Sequence, residues 1–115
     1  MADRELRIEI EAIDSTLASI ESVLDITTLR ARIVELEISA SVPDLWDDPE
    51  NAQKVTSELS NTQDEVAKLG ALRSRVDDLN LLLELAEGEE DANALADVET
   101  ELDALTSEIG AMEIR

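Results

Sequence analysis

The sequence predicts an all-α chain, an elongated antiparallel helical bundle with coiled-coil-like packing. Three observations carry that expectation. Leu, Ile, Val and Ala supply nearly all of the 43% hydrophobic content, with no Phe or Tyr and a single Trp, and Leu and Ala fill helices where aromatic and β-branched residues fill sheets. Only three Gly and two Pro are present to make turns, so connections are few. Apolar residues then recur at alternating spacings of three and four, the seam of a coiled-coil helix.

The 115 residues allow one domain and little more. In the first segment the seam is Leu6, Ile10, Ile13, Leu17, Ile20 and Leu24, predicting a helix over about 3–24 with Asp3 as its N-cap. The phase slips after Leu24, and the stripe resumes as Ile26, Leu29, Ile33, Leu36 and Ala40. Asp25 with Thr27 and Thr28 reads as the cap between two helices, the second spanning about 26–41.

The strongest punctuation is Val42-Pro43-Asp44-Leu45-Trp46-Asp47-Asp48-Pro49-Glu50. Pro43 disfavours helical backbone at Val42. Asp48, Pro49 and Glu50 read as an N-cap, a first-turn proline and a first-turn acid. A loop between antiparallel helices is expected here, with a new helix starting at Pro49. Its stripe is Ala52, Val55, Leu59, Thr62, Val66 and Leu69, then Leu72, Val76, Leu79 and Leu83. A break is expected within this run, at Gly70 or, preferably, near Asp77, Asp78 and Asn80, giving helices over 49–78 and 81–87. Gly88 to Asp91 reads as an acidic turn. The last helix, about 91–114, carries Leu95, Val98, Leu102, Leu105, Ile109 and Met112. Its pattern reaches Arg115 without a stop signal, which implies that more chain follows.

The charge balance of 29 acidic against 9 basic residues gives −20. From Val76 to Ile114 there are 13 acids and no Lys or Arg. Such a surface repels nucleic-acid phosphate and anionic membrane alike. A basic protein partner is compatible, and plain solubility accounts for most of these charges equally well. No apolar run approaches a membrane-spanning length of ~20 residues. With no Cys and no apolar leader at MADREL, a cytoplasmic protein is expected.

His, Cys and Tyr are all absent. The acid–base and nucleophile inventory reduces to carboxylates, Ser and Thr. The carboxylate pairs at Asp47–Asp48 and Glu89–Asp91 stand where helix caps are needed. No catalytic, cofactor or metal residue is assigned, and no enzyme activity is expected. The candidate structural or contact loop is Pro43, Asp44, Trp46, Asp47, Asp48 and Pro49. Trp46 is read first as a lid over the open end of the bundle and second as a partner contact, where Trp is enriched at binding hot spots.

The run Pro43-Asp44-Leu45-Trp46-Asp47-Asp48-Pro49-Glu50-Asn51-Ala52-Gln53-Lys54 resembles the N-terminal domain of the bacterial peptide chain release factor 2 family. That family typically has Asp and Phe where this chain has Val42 and Leu45. Leu82-Leu83-Glu84-Leu85-Ala86 ahead of an acidic turn, and Ala111-Met112-Glu113-Ile114-Arg115, resemble the same domain. The resemblance implies a termination factor acting at stop codons UAA and UGA. The decoding Ser-Pro-Phe and hydrolytic Gly-Gly-Gln motifs lie in domains absent from this chain. It also implies a ribosome-docking role near the large-subunit stalk-base proteins and an influence on cooperation with the GTPase release factor 3. Composition and heptads without the Trp46 loop fit an alternative, a free-standing acidic coiled-coil adaptor or chaperone-like protein.

Overall fold

In the computed structural model, which describes residues 5–113, the chain is all α. Four α-helices follow in order: α1 (Leu6–Leu24), α2 (Ile26–Ala40), α3 (Pro49–Glu89) and α4 (Ala92–Glu113), with a 3-10 turn at Leu45–Asp47. No strand occurs among the described residues. The expected Asp3 cap and the last residue of the expected terminal helix, Ile114, lie outside them.

Contacts group the chain into two compact units, residues 22–70 and the remainder. In the unit outside 22–70, α1, the C-terminal half of α3 and α4 pack three together. Its core is Ile10, Ile13 and Leu17, then Leu72, Val76, Leu79, Leu83 and Ala86, then Val98, Leu102, Leu105 and Ile109, all under a tenth exposed. The spacing within each set alternates three and four, so each helix presents one seam to two partners. Ion pairs fix the directions. Arg7 meets Glu87 while Arg73 meets Asp14 and Glu21, so α1 runs antiparallel to α3. Arg75 donates through Nε and Nη2 to Glu101 at 2.9 and 3.2 Å and through Nη1 to Glu108 at 2.8 Å, and α4 runs antiparallel to α3 in turn. No polar or charged residue is buried among the described residues.

The unit of residues 22–70 is a two-helix hairpin of α2 and the N-terminal half of α3. Arg32 grips Glu58 in a fork of 2.8 and 2.9 Å across it. Its fully buried residues are Leu36, Leu45, Ala52 and Leu69. Val55, Leu59, Thr62 and Val66, expected in the core stripe, are half-buried. A helix facing one partner covers its seam less completely than a helix facing two.

The expected break in the long helix does not occur: α3 is continuous over 41 residues, correcting the 49–78 and 81–87 division. Asp77 and Asp78 are exposed and cap nothing; Asp77 instead pairs with Arg73 one turn back at 3.6 Å. Val66, Leu69 and Leu72 are spaced three and three where the seam elsewhere alternates three and four, a slip of about one residue or ~100°. The helix therefore changes its buried face while its hydrogen-bond ladder continues. Gly70 costs about 1 kcal/mol relative to Ala, too little to end it.

Among the described residues, two positions outside glycine adopt left-handed backbone, Asp25 (φ 52°) and Glu90 (φ 50°). Asp25 joins α1 to α2, and its Oδ1 accepts the Thr28 N–H at 3.2 Å. Glu90 terminates α3: the Asp91 N–H reaches back to the Ala86 carbonyl at 3.2 Å, the six-to-one bond of a Schellman ending. The sequence points to Gly88 for this turn, yet Gly88 remains helical and the charged residue two positions on takes the strained conformation. Asp91 then caps α4, its Oδ1 accepting from Asn93 and Ala94 N–H groups at 3.0 and 3.2 Å.

Candidate functional site: the Trp46 loop

The loop between α2 and α3 is built from its two ends. Ser41 closes α2, its N–H donating to the Glu37 and Ile38 carbonyls and its hydroxyl to Ile38 O at 2.8 Å. Pro43 has no N–H to continue the ladder. The chain tightens into the 3-10 turn, with Leu45 N–H bonded to Val42 O at 3.1 Å and Asp47 N–H to Asp44 O at 3.0 Å. Asp48 is the N-cap of α3: its Oδ1 accepts the Asn51 N–H at 3.1 Å. Pro49 occupies the first helical position, where the missing donor costs nothing.

All six candidate residues, Pro43, Asp44, Trp46, Asp47, Asp48 and Pro49, are brought onto this one turn and are exposed. The lid reading of Trp46 is corrected. Trp46 is 62% exposed while Leu45 is 8% exposed, so Leu45 closes the end of the hairpin. With three residues per 3-10 turn, neighbouring side chains point about 120° apart, and Leu45 takes the inward place.

Beside the turn lies an open groove of about 500 Å³ lined by Val42, Leu45 and Val55 together with Asp44, Asp47 and Asp48. Apolar surface also continues back along α2, where Val34 and Ile38 are 54% and 64% exposed. These two are one turn apart and lie outside the seam of Ile33, Leu36 and Ala40. Sequence reasoning did not single them out, although apolar residues left over from a helix seam are the signal that finds them. In the other unit, Leu81, Leu82 and Leu85 are each at least half exposed on α3.

Arginines tie the helices together. Arg7, Arg32, Arg73 and Arg75, four of the nine basic residues, are held in ion pairs between helices. The hydrogen bonds that Arg73 donates to Glu21 and Asp14 hold it still more firmly protonated than a free guanidinium, and those that Arg75 donates to Glu101 and Glu108 do the same there. Arg32 pulls the Glu58 carboxyl below its usual range. No group of three or more His, Cys, Asp or Glu side chains among the described residues is arranged to hold a metal ion. No helix among them is long and apolar enough to cross a membrane.

These features define the class: a helical domain that carries an acidic, tryptophan-bearing turn between antiparallel helices. The chain belongs to the PCRF domain family, whose model matches residues 29–115. It is 51% identical over its full length to peptide chain release factor 2 of Salinispora tropica, covering 31% of that protein. It is 54% identical over 109 residues to peptide chain release factor 2 of Mycobacterium avium, covering 93% of this chain and 30% of that one. The namesake from Streptomyces avermitilis is 51% identical over 107 residues, with 93% and 29% covered. The chain thus spans under a third of the length of these relatives.

Proposed function

We propose that this chain serves translation termination as the N-terminal helical domain of a peptide chain release factor acting at UAA and UGA. In this reading it is a ribosome- and protein-interaction module in the cytoplasm, with no part in codon reading or peptidyl-tRNA hydrolysis. The carrying observation is the PCRF match together with full-length identity to factors of that name. Two features of the chain support the division of labour. Neither Ser-Pro-Phe nor Gly-Gly-Gln occurs in it, and a net charge of −20 suits basic ribosomal proteins rather than RNA. Basic proteins of the large-subunit stalk base fit that charge, and release factor 3 is a second candidate partner.

The test is to add the purified chain to ribosomes stalled at a UAA or UGA codon with formylmethionyl-tRNA in the peptidyl site. The chain should sediment with the ribosomes and release no formylmethionine. Failure to sediment at low salt would remove the docking role; codon-dependent release would remove the division of labour.

A further inference from the structure

We propose that the groove beside Trp46 is a docking surface for a Lys- or Arg-rich protein segment. A long basic side chain lays its methylenes along Val42, Leu45 and Val55, and its cation meets Asp44 and Asp47. The proposal deepens the ribosome-docking reading and rests on it for where the partner is found.

Charge decides the occupant. Residues 33–53 contain six acids and no Lys or Arg, and Lys54 is the one cation in the sequence span of the groove's lining, so acids dominate around the groove. Two of those acids have other work: Asp48 caps α3 and Glu35 pairs with Arg32 at 3.4 Å. Asp44 and Asp47 are exposed, and Asp44 makes no side-chain cap bond. Their carboxylates stand beside Val42, Leu45 and Val55 in a mixed lining completed by Ser39, Asp48 and Asn51, a combination a snorkelling Lys or Arg satisfies, its stem on apolar side chains and its head among acceptors. An isolated apolar ligand would leave the carboxylates unanswered. A small cation would leave Val42 and Trp46 exposed. A second copy of the chain would bring the same six acids against these six, and like charges oppose that encounter. Trp46 stands between the lining residues Leu45 and Asp47 in sequence and is 62% exposed, and Trp is among the side chains most enriched at interface hot spots. Because it is the chain's one Trp, it also reports on the site without ambiguity.

The experiment labels Trp46 as 5-fluorotryptophan and follows its single ¹⁹F resonance. Two probes are titrated into the intact chain: a short amphipathic Leu/Lys peptide and purified large ribosomal subunits. The groove variants are Asp44→Lys with Asp47→Lys, and Trp46→Ser for the unlabelled binding assay. Leu81→Ser, Leu82→Ser and Leu85→Ser together make an equally apolar control surface in the other unit. The peptide should move the Trp46 resonance, and subunits should broaden it. The groove variants should bind each probe about tenfold or more weakly, and the leucine control within about twofold of the parent.

A Trp46 resonance unmoved by saturating peptide and by bound subunits overturns the proposal. So does loss of binding in the leucine control with none in the groove variants, or a resonance moved by self-association alone. Where a groove variant fails to fold, the labelled parent still decides. Peptide binding at Trp46 without any binding of subunits leaves the surface standing and defeats the ribosomal reading. Subunit binding that ignores both groove variants does the reverse.

Discussion

Leu82 and Leu83 are neighbours of identical chemistry whose burial differs completely, 50% exposed against 0%. That contrast follows from α3 running uninterrupted through residues 77–80, which sets the phase of everything after it. Leu83→Ala removes a fully buried isobutyl group and leaves a cavity among Leu79, Ala86 and the facing seams. Such truncations cost about 3–5 kcal/mol, transfer and cavity contributions combined. Leu82→Ala removes a side chain already half in water, and Ala is the better helix former. Its cost is at most about 1 kcal/mol. An unfolding entropy of roughly 2.1 cal/mol/K per residue converts 3 kcal/mol into a fall in Tm of about 12 °C for a chain of this length. Thermal melts followed by circular dichroism at 222 nm give the comparison directly. Equal shifts, or a larger one for Leu82→Ala, would refute the continuous helix and the seam derived from it.

Other consequences are as concrete. Gly70→Ala should stabilise by about 0.5–1 kcal/mol, since a Cβ there meets nothing within 4 Å and the helix gains a better former; a lower urea midpoint would contradict this. Glu90→Gly should also stabilise, by about 1 kcal/mol, by relieving left-handed backbone at the end of α3, and an unchanged midpoint would mean the strain is absent. Arg73→Met should cost about 1 kcal/mol at low salt and less in 1 M NaCl, because the forked pair with Glu21 is partly exposed and screened; a salt-independent loss would assign the effect to packing. Hydrogen bonds from Thr28 hold the Asp25 carboxyl below its ordinary value. A depressed carboxyl stabilises above its unfolded pKa and loses that contribution as pH falls through the folded one. The destabilisation of Asp25→Ala relative to the parent should therefore be largest at pH 7 and shrink as pH falls through the carboxylate range, down to the cost of holding Ala in left-handed backbone; a difference unchanged between pH 7 and pH 2 would refute the cap.

Much of this architecture is legible in the sequence because helix seams and caps are local. The seams through Ile10, Val76 and Leu102 follow from spacing alone, and Asp25, Asp48 and Asp91 cap where a short acidic side chain precedes an apolar period. The errors arise where a local signal competes with cooperativity. Asp77, Asp78 and Asn80 are good cap residues, but the ladder of α3 and the packed seam on its other face outweigh them. Gly88 is the preferred left-handed residue, yet the last buried position, Ala86, sets the turn five residues on from itself and places the strain at Glu90. The Trp46 loop is legible as a loop; which of Leu45 and Trp46 faces inward depends on 3-10 geometry that composition does not encode. The groove of Val42 and Val55 is a product of folding the two helices together, so no single stretch of sequence announces it.

The central claim is that this chain supplies the docking domain of a termination factor. Its most direct measurement is an exchange: the matching segment of the Salinispora tropica factor, 31% of that protein, is replaced by this chain, and formylmethionine release is measured at UAA, UGA and a sense codon. The account predicts a chimera that releases at both stop codons and not at the sense codon, while the same factor lacking the segment is impaired. A chimera that folds and binds nothing, or a segment-deleted factor as active as the parent, would contradict it.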